Sequence, residues 1–327
     1  MSLGITNNNY AGMLAQGISS LILIGSNDSG LFHTKATNGS KVRFSYTSTE
    51  VEVQELNGIC SFVDAGNRSL DFLNLTLVET GTQQSICKSE LYDTDFGIAL
   101  AGYLAQEVDG VLLNQWVSQT VDGFSTAMQQ MRWSGDLGAS GATLALMDGI
   151  VVQIQAGGAY NASSNPTGYQ KIATTAITAS NAIEEIKKVI DALPFEVTSN
   201  QYFKIVLAPG VASALRNQVM LPSTLNNLPQ LTFDPATGLL TSNFFGFKVY
   251  LAQGLLVSEF PANNNIIIAG IMADNSEGFI KWGVNKPSDE KNLELKDVQD
   301  GDYVRLRLGT GQIVSVIPNL SQVAMNA

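Results

Sequence analysis

Between residues 113 and 131 the apolar side chains return every three or four positions. Leu113, Val117, Val121, Phe124, Met128 and Met131 form one stripe, and Gln115, Ser118, Gln119, Asp122, Ser125 and Gln129 fall on the other side. This spacing predicts a long amphipathic helix with a single buried face. Gly123 interrupts it at a cost of about 1 kcal/mol relative to Ala, which points to a close packing contact or a bend. The helix closes on Arg132-Trp133-Ser134-Gly135-Asp136, a Gly/Ser-rich turn follows, and a new apolar run ends in Met147-Asp148-Gly149-Ile150. The stretch 128–150 thus reads as a helix handing over to a second unit.

Upstream, the period drops to two. Val42, Phe44 and Tyr46, then Val51 and Val53, and later Leu70, Phe72, Leu73, Leu75 and Leu77 predict strands. Asp64-Ala65-Gly66-Asn67 and Glu79-Thr80-Gly81-Thr82 are turn signals. A ribbon of this kind is marginal alone, so the segment 41–90 is expected to lie on something else, such as a neighbouring copy. Deleting 47–82 is then expected to leave small soluble species. Residues 1–40 are polar and Asn/Gly-rich apart from an apolar turn or two at 13–24, which suggests an extended arm with a short helix.

Residues 140–260 alternate between helix and strand patterns. Asn181-Ala182-Ile183-Glu184 has the form of a capping box with Asn181 as the cap, and Ile183, Ile186, Ile190 and Leu193 give a buried stripe that Pro194 ends. Glu184 and Glu185 are expected on a solvated face beside Lys187 and Lys188. Strands are predicted at 203–207, 247–251 and 266–270, and Pro209 opens a helix to about residue 220. The tail at 278–318 returns to β. A strand at 279–284 and a charged loop at 286–302 precede a strand at 303–308. Gly309-Thr310-Gly311 is expected to turn or bulge that strand into 313–317.

With 327 residues the chain is long enough for one large domain or two to three small ones, and needs no disulfide or metal staple. Charged residues make up 14%, against roughly 25% in an average domain. Such a surface fits cover by partners, or a polar uncharged exterior. The net charge of −11 argues against gripping nucleic acid through a basic surface, and keeps a free subunit soluble. Cys60 and Cys87 read as buried free thiols that pair only if their strands are neighbours. The N-terminus lacks a basic region before an apolar core, so no signal peptide is read. The apolar run 17–24 is too short to cross a bilayer.

Candidate chemistry is sparse. His33 is the only histidine, and its flank Gly30-Leu31-Phe32-His33-Thr34 offers no nucleophile elbow, so it reads as a surface or packing residue. One His without clustered Cys makes no metal site. Gly309-Thr310-Gly311 is half a dinucleotide fingerprint with no helix after it. Asp274-Asn275-Ser276-Glu277-Gly278 has oxygen ligands without calcium-loop spacing and reads as a turn. Arg305 and Arg307 share a strand face, free to meet acidic groups of a neighbour or to stay solvated. No catalytic, cofactor-binding or metal-binding residue is assigned, no cofactor is expected, and an enzyme is not expected.

The order of these segments resembles the major capsid proteins of tailed bacteriophages, which have the Hong Kong 97 fold. Tyr10-Ala11-Gly12, the ribbon at 42–89, the helix at 113–131 with Arg132-Trp133-Ser134-Gly135-Asp136, and Met147-Asp148-Gly149-Ile150 carry it. So do 176–194 with Lys204-Ile205-Val206-Leu207-Ala208-Pro209, then 245–250, 267–270 and 303–317. The resemblance implies an α+β fold of that type with an N-terminal arm (1–40), an extended E-loop β-ribbon and flanking strands (41–90), and a peripheral domain with the spine helix (91–137). It further implies an axial domain (138–275), and peripheral-domain strands with a C-terminal tail (276–327). The implied function is self-assembly into hexamers and pentamers of an icosahedral shell around double-stranded DNA. The implied partners are further copies of the chain and portal, scaffolding and decoration proteins. DNA would be enclosed without specific binding, with no membrane involved. The expected location is the virion capsid, assembled in the host bacterial cytoplasm. With about forty residues ahead of the ribbon, scaffolding is expected as a separate protein or a removed one. Relatives that cross-link through Lys and Asn suggest no assignable pair here. The alternatives are an encapsulin-like compartment, a soluble α/β hydrolase with convergent carboxylates in one cleft, and a tail or baseplate subunit.

Overall fold

The alternating residues at 303–317 build the longest strand among the described residues, β12 (Tyr303–Val316). The computed structural model describes residues 30–50, 67–87, 111–141, 143–219, 239–244, 246–285, 293–298 and 303–326. Gly309-Thr310-Gly311 neither turns nor bulges β12. Its register against β4 (Val78–Cys87) runs unbroken from Tyr303↔Cys87 to Gln312↔Val78. A Cβ on Gly81, which faces Gly309, would stand 2.7 Å from the Leu308 carbonyl oxygen, so this crossing is crowded and its glycines stay extended.

β12 also pairs antiparallel with β10 (Ile280–Asn285) and with β11 (Leu293–Val298). The expected charged loop at 286–302 therefore contains a strand: Leu293, Leu295 and Val298 are interleaved with charges, which hid the alternation. β1 (His33–Thr37) joins β10 in parallel and completes a five-stranded sheet, so the last part of the 1–40 range is built into the body.

A second sheet has six strands. β5 (Gln170–Ile172) and β13 (Val323–Asn326) lie beside β9 (Ile267–Ile271) and β6 (Phe203–Leu207), followed by β8 (Phe247–Leu251) and β7 (Leu239–Phe244). β6, β9 and β13 are buried at every position, as continuous apolar runs covered on both faces should be. β2 (Lys41–Glu50) and β3 (Asn67–Thr76) form a third, two-stranded antiparallel sheet.

Helix α1 (Val111–Ser134) buries Val121, Phe124, Met128 and Met131 and exposes Ser118, Gln119 and Asp122, as its stripe requires. The side chains of Leu113, Gln115 and Val117 lie outside the description. Gly123 is no packing contact, because nothing lies within 4 Å of where its Cβ would be. Helices α2 (Ile150–Ala156), α3 (Ala182–Asp191), α4 (Phe195–Thr198) and α5 (Pro209–Val219) follow.

At α3 the expected capping box does not form. Asn181 sits at the cap position, but its side-chain oxygen accepts from the Thr178 amide at 2.7 Å and from the Thr178 hydroxyl. The preceding turn has captured it, a competition typical of Asn. Gln218 of α5 caps instead, accepting from the Ile183 amide at 2.8 Å and donating to the Ser180 carbonyl at 2.9 Å. Glu185 is also not solvated. It is 2% exposed, its carboxylate drawn inward by the Thr175 hydroxyl at 2.6 Å and the Lys188 ammonium at 2.7 Å.

One hydrophobic cluster runs through α1 and both large sheets. A small separate cluster of Val42, Phe44 and Leu77 sits at the root of the β2–β3 ribbon. Cys60 and the short helix expected at 13–24 lie outside the described residues. Cys87 ends β4, and its side chain lies outside them too.

Candidate assembly surfaces

The C-terminal end of α1 forms a knuckle around Trp133, which is fully buried. The Phe32 ring lies 5.6 Å from Trp133 and 5.9 Å from Trp282, and the Arg132 guanidinium stacks 4.3 Å over Trp282. The Ser134 hydroxyl donates to the Gly254 carbonyl at 3.0 Å. Gly135 and Gly149 let two backbones meet. The Gly149 amide donates to the Gly135 carbonyl at 2.8 Å, and a Cβ on Gly149 would stand 2.6 Å from the Gly135 nitrogen. Asp148 accepts from the Leu137 amide at 2.9 Å, and Asp136 from the Gly138 amide at 2.7 Å. The Gly-Asp and Asp-Gly pairs prominent in the sequence are thus joinery.

This joinery leaves apolar groups in water. Leu137 is 61%, Leu146 41% and Leu256 55% exposed. They ride on segments pinned to the knuckle: Gln130 donates to the Leu256 carbonyl at 3.1 Å, and Asp136 donates its amide to Leu144 at 2.9 Å. Elsewhere Phe195 on α4 is exposed.

The β2–β3 ribbon is the second such surface. Among the described residues it pairs with no other strand. Its root is fixed by the Leu77 amide donating to the Ser40 carbonyl at 2.8 Å and by the Val42, Phe44 and Leu77 cluster. Beyond the root, Leu70 is 55% and Phe72 44% exposed.

The residues considered for chemistry take structural roles. His33 lies edge-on to Phe44 at 5.2 Å, and its Nδ1 meets the Lys281 ammonium at 3.3 Å, a cation and no nucleophile. Burial first, then Lys281 and Lys35, hold His33 below its ordinary pKa. Lys281 is fully buried, donates to the Ser276 carbonyl at 2.8 Å, and is lowered by burial to about 8. Lys204 of β6 donates to the Gly30 carbonyl. The segment from Gly30 to His33 is therefore held by one lysine from each large sheet.

Glu185 is the buried carboxylate among the described residues. Burial pushes its pKa up, but hydrogen bonds from Lys188 and Thr175 outweigh this and hold it below the ordinary value. It remains ionised, unlike a general acid. Residues 274–278 form the turn between β9 and β10, closed in part by the Glu277 amide on Asn275. Arg307 is exposed and pairs in register with Glu294, while the Arg305 side chain lies outside the description. No group of three or more His, Cys, Asp or Glu among the described residues could hold a metal. No helix among them is long and apolar enough to cross a membrane. The exposed leucines at 137, 146 and 256 were missed in the sequence, since each sits in a loop or short turn without periodicity.

No family model matches the chain. No curated protein matches it either. Solved structures do. The capsid asymmetric unit of cyanophage A-1(L) matches at TM-score 0.56 and 11% identity, over 94% of this chain and 92% of that one. The capsid of an empty GTA particle matches at 0.55 and 13%, over 90% and 93%. A structure from Mycobacterium phage Adephagia matches at 0.53 and 12%, over 90% and 87%. The chain has the mixed α+β fold of these capsid structures, the Hong Kong 97 type, along nearly its whole length.

Proposed function

We propose that this chain is a structural shell protein that self-assembles into a closed icosahedral particle around double-stranded DNA. The observation that carries this reading is the match of fold over 94% of the chain to a phage capsid subunit. The exposed ribbon and the apolar knuckle support it, because each is completed only by a neighbour. In this reading residues 1–40 are the arm, 41–90 the E-loop with its flanking strands, and 91–137 the peripheral domain with α1 as spine helix. Residues 138–275 are the axial domain and 276–327 the remaining peripheral strands and tail, except that β13 at the end of that tail returns to the six-stranded sheet between β5 and β9. Hexamers and pentamers are the building units. Portal, scaffolding and decoration proteins are the partners, and the virion capsid is the location, after assembly in a bacterial cytoplasm. DNA is held by confinement, because a chain of net charge −11 has little affinity for phosphate.

Electron microscopy of the purified, concentrated chain tests this directly. Closed shells of uniform size are expected, and a chain that stays monomeric at every concentration sinks the proposal. A ribbon deletion sharpens the test. Removing 47–82 would take half of β4 out of the body sheet, so the cut must stop at Leu70. Tyr46 and Asp71 are cross-strand partners, which an Asn-Gly turn can join. The shortened chain should fold and fail to close shells.

A further inference from the structure

We infer that His33 is a proton-operated clasp: its neutral ring holds β1 and the root of the β2–β3 ribbon on the trunk, and its protonation lets both go. The clasp lies within one copy of the chain and does not depend on the shell reading. β1 needs such a hold, because it is the edge strand of its sheet and none of its five side chains is buried. Beyond the ladder to β10, the His33 ring is what seats it. That ring lies edge-on to Phe44 of the ribbon root at 5.2 Å and meets the Lys281 ammonium of β10 at 3.3 Å. Lys35 of β1 donates to the Arg43 carbonyl of β2 at 2.7 Å, so the two strands are tied and move together. Leu31 and Phe32, both buried, keep the preceding residues in the core, and the release stops at His33.

The contact with Lys281 fixes the state of the ring. An ammonium only donates, so Nδ1 must accept and the ring proton sits on Nε2. A second proton can enter only at Nδ1, where it turns the acceptor into a donor facing a cation. Lys281 is held in place, fully buried and bound to the Ser276 carbonyl at 2.8 Å. The other charged groups do not offset the repulsion. Lys35 on the same strand adds to it, and Lys204 of β6 is engaged at the Gly30 carbonyl. Asp274, in the turn after β9, favours the charged ring but acts more weakly than either Lys281 or Lys35. β2 presents the apolar Phe44 here, while its Arg43 lies over Phe72, and Arg132 of α1 is stacked on Trp282. Burial first, then Lys281 and Lys35, hold the seated ring below its ordinary pKa, which it regains on release. The released form therefore binds the proton more tightly. The ratio of open to closed clasp rises by up to about ten-fold per pH unit below about 6.5, until the seated ring titrates as well.

His33 is the only histidine, so the imidazole resonances of the histidine-labelled, unassembled chain report its titration without ambiguity. Hydrogen exchange over residues 33–45, expressed as protection relative to an unstructured chain, follows the clasp itself. Wild type should titrate below about pH 6.5 and lose protection over the same range as the pH is lowered. His33→Gln keeps an acceptor for Lys281 and takes no proton, so its protection should hold throughout. Lys281→Met removes the facing cation, so its imidazole should titrate closer to about 6.5 and its acid loss of protection should shrink several-fold. Circular dichroism at neutral pH checks that each variant folds. A wild-type ring that titrates at or above the ordinary value overturns the clasp. So does a loss of protection in His33→Gln as large as in wild type. Where His33→Gln does not fold, Lys281→Met decides: a titration and an exchange profile unchanged from wild type overturn the inference.

Discussion

Lys281 shows how one residue can be read from its neighbours and missed from its sequence. In the apolar alternation of β10 it is the lone charge, and nothing in the pattern says that it is fully buried. Register decides it: the strand that follows the arm lies alongside, placing His33 opposite. Burial lowers the Lys281 pKa from 10.5 to about 8. Between these values the unfolded chain binds a proton that the folded chain has released, so stability should rise with pH across that window. Below pH 8 both states are protonated and the whole penalty, roughly 3 kcal/mol, is present. Lys281→Met should therefore raise the unfolding free energy measured with urea at pH 7 by about 1–2 kcal/mol once the orphaned Ser276 carbonyl is counted, and flatten the rise above pH 8. Unchanged pH dependence in that variant would show that another group titrates there. Glu185 carries the same lesson with the opposite sign, since its solvated sequence context gave no hint of Thr175.

At the scale of elements, periodicity served wherever one face is buried. The α1 stripe, the apolar runs of β6 and β9, and the ribbon alternation were all legible because burial imposes the period directly. Legibility failed where a partner strand or helix does the work. β11 was concealed by its charges, β12 was wrongly broken at its glycines, and the α3 cap came from Gln218 on another helix. The two surfaces proposed for assembly divided the same way: the ribbon was visible as alternation, the knuckle leucines were not. Gly123 in α1 is now open to a specific expectation. With free space at its Cβ position, Gly123→Ala should stabilise the unassembled chain by about 1 kcal/mol, measured by chemical denaturation. A loss instead would mean that the helix bends at this point.

For the whole molecule, the order of segments was the legible quantity, and the outline of an α+β shell fold followed from it. What no pattern disclosed is that a single core runs through both large sheets, with Phe32 wedged between Trp133 and Trp282. Because that core is continuous, the unassembled chain should melt in one step, with near- and far-ultraviolet circular dichroism superimposing. Two resolved steps would show that the sheets fold as separate units. The ribbon, by contrast, joins this body through Leu77 on one strand and the three residues 38–40 on the other, and only its root, Val42 and Phe44, packs against the body. Ten residues of paired strand reach about 30 Å. In the shell proposed above, a bend of about 10° just past that root would carry the far end a few ångströms sideways, so a subunit would follow a change in curvature with its grip while its trunk kept its shape.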